Sequence, residues 1–176
     1  GLRHCAKEGC GEAVGRWGVA FAPGELPAHV LGQSLSLWRA SGALSLQSAG
    51  SQLAVQALEL DCWDAPVWDA CAGFGGKSVA LLEQGIDVTL CTDRSWSRLR
   101  HLPGVCRELH LPRPAVCLAD ACAPPLRGWN GHILLDAPCS GLGVLARRPD
   151  IRKDSRRTPA DLKQLAALQD RMLLRL

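Results

Sequence analysis

Residues 68–78 read Trp68-Asp69-Ala70-Cys71-Ala72-Gly73-Phe74-Gly75-Gly76-Lys77-Ser78, and this stretch decides the predicted fold. The apolar residues at its start predict a strand, and the residues from Ser78 onward predict a helix, so the glycines lie in the connecting loop. Glycines let a loop backbone approach a ligand closely, while the amides of the helix N-terminus face that ligand. A P-loop would need glycine in place of Cys71, and a dinucleotide-binding motif would need glycine in place of Ser78. The stretch therefore predicts a ligand-binding unit of a different class.

Four predicted strands, at residues 67–71, 87–93, 115–119 and 133–135, each carry an aspartate at or near the end: Asp69, Asp93, Asp120 and Asp136. The carboxyl ends of parallel strands share one edge of a sheet, where ligands bind. An aspartate about 20 residues after a glycine loop is placed to accept hydrogen bonds from ribose hydroxyls, which points to Asp93. A single strand-end aspartate is most often a solvated cap, but four in phase favour a bound nucleoside. Because carboxylates repel phosphates, S-adenosylmethionine fits better than a triphosphate.

A second motif, Asp136-Ala137-Pro138-Cys139-Ser140-Gly141, follows the apolar run at residues 133–135. Proline restricts the backbone, and the serine and glycine allow a sharp turn, so the thiol of Cys139 is directed at the same edge. A thiol beside a carboxylate suits attack at C6 of a pyrimidine, with the acid bonded to the polar edge of the ring. On the residues alone Cys139 is a candidate nucleophile and Asp136 its partner. The alternative is that Cys139 is only a small apolar residue at a strand end.

Three segments in this order resemble the RNA 5-methylcytosine methyltransferases of the Nol1/Nop2/Sun family, most closely the bacterial branch that modifies small-subunit ribosomal RNA. They are residues 71–77, 136–141 and 147–151, and residues 46–52 resemble the segment that leads into the catalytic domain. The resemblance implies an α/β fold with a Rossmann-like, S-adenosylmethionine-dependent methyltransferase sheet. It covers residues 42–176 as the methyltransferase domain, and residues 1–41 would be the end of an RNA-binding N-terminal extension.

The resemblance also implies a role for each site residue. The methionine part of S-adenosylmethionine would be held by Cys71, Ala72, Gly73, Phe74, Gly75, Gly76 and Lys77. Asp93 would hold the ribose, Asp120 the adenine side, and Asp136 would lie between the cofactor and the target cytosine. Cys139 would be the second cysteine, which helps to release the methylated RNA, because the nucleophile of the family belongs to a Thr-Cys-Ser motif. These 176 residues contain no such motif. Phe74 is a departure, since the family more often has proline or a small residue there.

The resemblance implies a sheet with more strands than the four predicted here. We therefore expect a methyltransferase domain truncated at its C-terminal end, inactive by itself and with an open sheet edge at residues 132–136. The alternative is a non-catalytic methyltransferase-like module that binds nucleoside or RNA. Helices are predicted from Gly50 to Leu60 and, from the apolar spacing between Leu162 and Leu176, at the end of the chain, where the helix would cover the sheet.

Composition and charge bear on the partners. The net charge of +3 is too small to indicate a nucleic-acid partner, but residues 147–157 form a basic cluster that includes Arg147, Arg148, Arg152 and Lys153. Such a cluster could contact RNA phosphates, although a charge run is often only a solvated loop. The nine cysteines contain no Cys-x2-Cys pair, which favours reduced thiols in the cytoplasm over a metal site or disulfides. No apolar run approaches a membrane span. We expect ribosomal RNA as partner, and neither metal nor membrane.

Overall fold

The computed structural model describes residues 11–14, 18–22, 24–30, 32–41, 45, 47, 49–140 and 158–176. The predicted RNA-binding cluster, Arg147, Arg148, Arg152 and Lys153, lies outside the described residues.

The first part of the chain forms two short antiparallel hairpins, as the glycine- and proline-rich sequence indicates. They pair β1 (Glu12–Val14) with β2 (Gly18–Ala20) and β3 (His29–Val30) with β4 (Gln33–Ser34). Helix α1 (Leu35–Ala40) follows, and its Trp38 donates an indole hydrogen bond of 2.8 Å to the carbonyl of Val30. The tryptophan thereby ties α1 to the second hairpin.

Helix α2 (Ala49–Gln56) is shorter than the helix predicted from Gly50 to Leu60. It ends before Glu59, whose φ of 49° is left-handed, and a separate 3-10 turn (Leu60–Cys62) begins where the helix was predicted to end. The predicted C-terminal end of this helix is wrong because a left-handed residue cannot continue a right-handed helix. Val55 is buried in the core.

Four parallel strands form the central sheet and confirm the α/β fold class. They are β5 (Val67–Asp69), β6 (Val88–Asp93), β7 (Ala115–Leu118) and β8 (His132–Leu134), in the order β7-β6-β5-β8. Helix α3 (Gly76–Glu83) connects β5 to β6, and the short helices α4 (Trp96–Leu99) and α5 (Leu102–Glu108) connect β6 to β7. Apolar side chains of α2, α3 and α5 pack with β5, β6 and β8 into one core.

The edge strand β8 pairs with β5 on one side only, in the register Trp68↔Ile133. Within the described ranges no further strand lies on its other side, and the expected open edge at residues 132–136 stays a prediction. None of the described helices is long and apolar enough to cross a membrane.

The last helix, α6 (Pro159–Leu173), begins with a capping box. The hydroxyl of Thr158 accepts a hydrogen bond from the amide of Asp161, whose carboxylate accepts one from the amide of Thr158. The expectation that this helix covers the sheet is wrong for most of its length. Leu162 is 45% exposed, whereas Met172 is 2% exposed, because the helix reaches the rest of the fold mainly through its C-terminal half.

Candidate functional site

The strand order places a crevice at the carboxyl edge of the sheet. The chain runs outward from β5 through β6 to β7 and then returns to β8 on the other side of β5. Ligands of open α/β sheets bind where the strand order reverses in this way. A cavity of about 560 Å³ opens there, which is within the range of small-molecule sites.

Nine of the predicted cofactor-binding residues line this cavity, together with the proposed catalytic Cys139. The nine are Cys71, Ala72, Gly73, Phe74, Gly76, Lys77, Asp93, Asp120 and Asp136. Gly75 is the exception. A Cβ atom built on Gly75 would meet the side chain of Leu102, so this glycine faces α5 and not the cavity. The assignment of Gly75 to the cofactor site stays a prediction, and what the structure shows is that this glycine lets the loop pack against α5.

The glycine loop is held in shape by backbone bonds. The amide of Ala72 donates to the carbonyl of Thr92 at 2.9 Å, and the amide of Gly75 donates to the carbonyl of Ala72 at 2.8 Å. Gly73 and Gly75 have φ values of 58° and 83°, which glycine adopts without steric cost. The two glycines thus permit the tight turn that leads into α3.

Asp93 ends β6 with a buried carboxylate that accepts three hydrogen bonds. The donors are the amide of Gly73 at 2.9 Å, the amide of Ser95 at 2.7 Å and the guanidinium of Arg98 at 3.0 Å. An ionised carboxylate has about four acceptor positions, so capacity is left for a ligand hydroxyl. Asp93 therefore organises the loop as well as facing the cavity. The sequence analysis did not identify Arg98, because a single arginine in a short helix forms no recognisable sequence motif.

The two predicted motifs meet across the crevice. Lys77, in the first turn of α3, forms an ion pair with the carboxylate of Asp136, which follows β8. The side chain of Asp136 is half exposed, so it remains accessible from the cavity. This pair was not predicted, because the two residues are far apart in the chain and only the strand order brings them together.

Cys139 is exposed at the mouth of the same cavity. The carbonyl of the preceding Pro138 accepts a hydrogen bond of 2.9 Å from the side-chain amide of Gln169 on α6. Asp120 lies beyond the end of β7, where its carboxylate accepts a bond of 2.8 Å from the amide of Cys122. The candidate catalytic and adenine-side residues thus occupy opposite parts of one site.

Asp69 lies beneath the loop and does not line the cavity. Its buried carboxylate accepts hydrogen bonds from the hydroxyl of Ser78 at 2.6 Å and from the amide of Cys71 at 3.3 Å. Burial raises the pKa of Asp69 to about 6, with a smaller contribution from the charge of Asp136. Burial, followed by repulsion from nearby aspartates, raises the pKa of Cys71 to about 12, so this thiol stays protonated and is a poor nucleophile.

Cations also line the cavity. Arg98 pairs with Asp93, Lys77 pairs with Asp136, and Arg94 is a further lining residue. The sequence argument that carboxylates repel phosphates did not take these paired cations into account. Asp69 is excluded from the cavity, and two of the other three are paired with a cation. The mixed charge suits a ligand that carries both signs.

Gln47 and Met172 are two further lining residues that sequence reasoning did not assign. The side-chain amide of Gln47 donates a bond of 2.9 Å to the carbonyl of Gly76 and thus joins the segment before α2 to the loop. Gln47 lies within residues 46–52, which resemble the segment that leads into the catalytic domain of the family. That resemblance is the sequence feature that could have identified it. Within the described part of the chain, no group of three or more His, Cys, Asp or Glu side chains is arranged to hold a metal ion.

Comparison with known proteins bears directly on this geometry. The sequence profile of the family described as 16S rRNA methyltransferase RsmB/F matches residues 55–176. A ribosomal RNA small subunit methyltransferase B from Xylella fastidiosa is 38% identical over 140 residues, which are 76% of this chain and 32% of that protein. A 28S rRNA (cytosine-C(5))-methyltransferase from Mus musculus is 31% identical over 137 residues, 76% of this chain and 17% of that protein.

The fold is similar to that of a solved relative. The crystal structure of NSun6 from Pyrococcus horikoshii with SFG matches with a TM-score of 0.66 and 27% sequence identity. The match covers 85% of this chain and 37% of that one. The chain spans about a third of the length of the bacterial relatives that it matches, with 32% and 31% for the proteins of two Xylella fastidiosa strains.

Proposed function

Because this chain belongs to the 16S rRNA methyltransferase RsmB/F family, we propose that it is the cofactor-binding part of an S-adenosylmethionine-dependent RNA (cytosine-C5) methyltransferase. The substrate would be a cytosine of ribosomal RNA, and the names of the bacterial relatives favour the small-subunit RNA.

One observation carries this proposal, namely the joint lining of a single cavity by both sequence motifs. Residues of the glycine loop, Asp93, Asp120, Asp136 and Cys139 surround the same space at the point where the strand order reverses. S-adenosylmethionine carries an ammonium, a sulfonium and a carboxylate, and the cavity offers carboxylates, cations and loop amides to match them. The residues present therefore fit this cofactor.

We assign the following roles within the cavity. S-adenosylmethionine, when bound, supplies the electrophilic methyl group. Asp93 accepts a hydrogen bond from the ribose while it holds the loop through the amide of Gly73. Asp136, paired with Lys77 and oriented by it, accepts a hydrogen bond from the amino group of the target cytosine. Cys139 faces the same target from the exposed mouth of the cavity, where the family resemblance gives it the role of assisting product release.

A non-catalytic module that binds nucleoside or RNA is the second candidate function. It is favoured by the sequence, since these 176 residues include no Thr-Cys-Ser motif. Because the chain spans about a third of its bacterial relatives, the two functions are separated with a chimera in which residues 55–176 replace the matching part of a ribosomal RNA small subunit methyltransferase B. Transfer of labelled methyl groups to ribosomal RNA by the chimera, dependent on Asp136, supports the enzyme. Cofactor binding by the chimera without any transfer supports the module.

The cofactor assignment is tested by calorimetry with S-adenosylhomocysteine, the demethylated product. Asp93→Ala removes hydrogen bonds to a charged acceptor, and we expect it to weaken binding by about 2 to 4 kcal/mol. Asp87→Ala is the matched control, because Asp87 is an exposed aspartate that precedes the opposite end of the same strand. Equal affinities of the wild type and Asp93→Ala would refute the ribose assignment.

A further inference from the structure

Phe74 exposes an aromatic ring at the tip of the glycine loop. Its side chain is 63% exposed, and its ring centroid lies 6.1 Å from that of His101 with the planes tilted by 34°. His101 therefore shields only part of the ring. An exposed aromatic ring beside a binding cavity marks a surface that contacts a partner, since aromatic side chains provide a large apolar face.

A second cavity, of about 520 Å³, lies on the other side of the loop, and we call it the loop-side cavity. Phe74, Gln47 and Gly76 line both cavities, so the loop forms the wall between them. The remaining wall combines apolar side chains of α3 and α5 with two carboxylates, and it includes Val79, Glu83, Val105, Glu108 and Leu109. The loop-side cavity thus combines apolar side chains with hydrogen-bond acceptors.

We propose that the loop-side cavity receives an unstacked nucleobase of single-stranded RNA. Phe74 stacks on the base, and Glu83 or Glu108 accepts a hydrogen bond from its exocyclic amine. The inference rests on the proposed function, because it takes RNA as the substrate. Bases that are splayed out of a single strand are commonly held by stacking on aromatic side chains and by hydrogen bonds to their edges.

The carboxylates specify which bases fit. An ionised carboxylate only accepts hydrogen bonds, so it favours a base edge that carries an amine, as cytosine does, over uracil, which presents a carbonyl at the same position. One oxygen of Glu83 already accepts a bond of 2.8 Å from the hydroxyl of Ser45, which fixes the orientation of that carboxylate. The loop-side cavity therefore discriminates cytosine from uracil by hydrogen bonding.

Exposed cations are available on the same part of the chain for the RNA backbone. Arg107 precedes Glu108 on α5, and Arg100 lies in the turn before that helix; both side chains are exposed. These cations can neutralise phosphates of a bound RNA strand.

The test measures RNA binding and cofactor binding on the same proteins. Fluorescence anisotropy with a labelled oligocytidylate of about 12 nucleotides at fixed salt reports RNA affinity. We expect Phe74→Leu to weaken this binding about 5- to 100-fold, and Phe74→Trp to retain it, because stacking needs a ring. Leu174→Ala, which changes an exposed apolar residue outside both cavities, is the control. Calorimetry with S-adenosylhomocysteine should give the wild-type affinity for Leu174→Ala and for the double variant Glu83→Gln, Glu108→Gln, because neither variant changes a residue that lines the cofactor cavity.

Base discrimination provides the second readout. The wild type should bind oligocytidylate more tightly than oligouridylate, and the double variant Glu83→Gln, Glu108→Gln should lose that preference.

Equal RNA affinity of the wild type and Phe74→Leu overturns the inference and leaves the proposed function intact. A parallel loss of S-adenosylhomocysteine affinity in Phe74→Leu assigns the ring to the cofactor and also overturns it. Failure of the wild type to bind either RNA overturns both this inference and the RNA substrate of the proposed function.

Discussion

At the scale of single residues, Asp69 shows how a buried acid holds the glycine loop. Its carboxylate bonds to the amide of Cys71 at the start of the loop and to Ser78 in the helix that follows it. Because burial raises its pKa from 3.8 to about 6, the folded protein binds this proton more tightly than the unfolded chain does. The resulting stabilisation is fully present below pH 3.8 and is lost as the pH rises through about 6.

We therefore expect the pH dependence of stability to change in Asp69→Asn. Between about pH 5 and pH 7 the wild type should lose about 1.4 kcal/mol of unfolding free energy relative to the variant, whose side chain does not titrate. Urea unfolding followed by tryptophan fluorescence at both pH values measures this difference. Asp87→Asn, at an exposed site, should behave like the wild type. Parallel pH profiles for the wild type and Asp69→Asn would contradict the assignment.

The candidate site was predictable only where residues sit at strand ends or within motifs. Asp93, Asp120 and Asp136 follow strands whose apolar runs are plain in the sequence, so their meeting at one edge followed from parallel pairing. The contacts of Asp93 with Arg98 and of Lys77 with Asp136 depend on side-chain positions and on strand order. Neither contact leaves a periodic signal in the sequence, so the argument that carboxylates repel phosphates did not include the two paired cations.

At the scale of elements, the loop between β5 and α3 depends on one glycine. Gly75 has a φ of 83°, and a Cβ atom there would meet the side chain of Leu102 on α5. We expect Gly75→Ala to lower the unfolding free energy by about 2 to 4 kcal/mol, because backbone strain and overpacking add. The variant should also bind S-adenosylhomocysteine more weakly, since the loop must shift away from α5.

Gly104→Ala is the matched control for this change. A Cβ atom on Gly104 would meet nothing within 4 Å, and the residue lies inside α5. Alanine favours a helix over glycine by about 0.5 to 1 kcal/mol, so this variant should be as stable as the wild type or more so. Thermal unfolding of the two variants makes the comparison, and a stable Gly75→Ala protein would show that the loop is not held against α5.

Elements with strong apolar runs were predicted well, and elements defined by their contacts were not. The four strands of the sheet were found within about two residues of their observed limits. The apolar spacing in α6 correctly predicts a helix, yet Leu162 remains exposed because periodicity does not specify what a face packs against. The resemblance to a methyltransferase family is confirmed by the family match over residues 55–176.

At the scale of the whole molecule, the two edges of the sheet differ in how well they are protected from pairing with strands of other chains. Pro112 and Pro114 precede the edge strand β7, and prolines discourage further strand pairing. Strand β8 has no such residue before it and pairs on one side only within the described chain. We therefore expect the 176-residue chain, expressed alone, to associate through β8 and to transfer no methyl groups to ribosomal RNA.

Light scattering over a range of concentrations measures this association. Ile133→Lys places a charge on β8 and should shift the protein toward monomer. Leu118→Lys places the same charge on β7 at an exposed position and should leave the association unchanged. A wild-type chain that stays monomeric at every concentration, or one that transfers methyl groups, would contradict the expectation of an exposed edge.

The pairing of β8 with β5 also has a consequence for the order of events on the ribosome. Trp68 and its partner Ile133 are about 65 residues apart, so β5 leaves the ribosome well before the strand that completes its pairing. At typical translation speeds the interval is roughly 3 to 13 s, during which one side of β5 has no strand from its own chain. Until β8 is synthesised, the nascent chain exposes a strand edge to other chains. Such an edge favours binding by chaperones that act during synthesis.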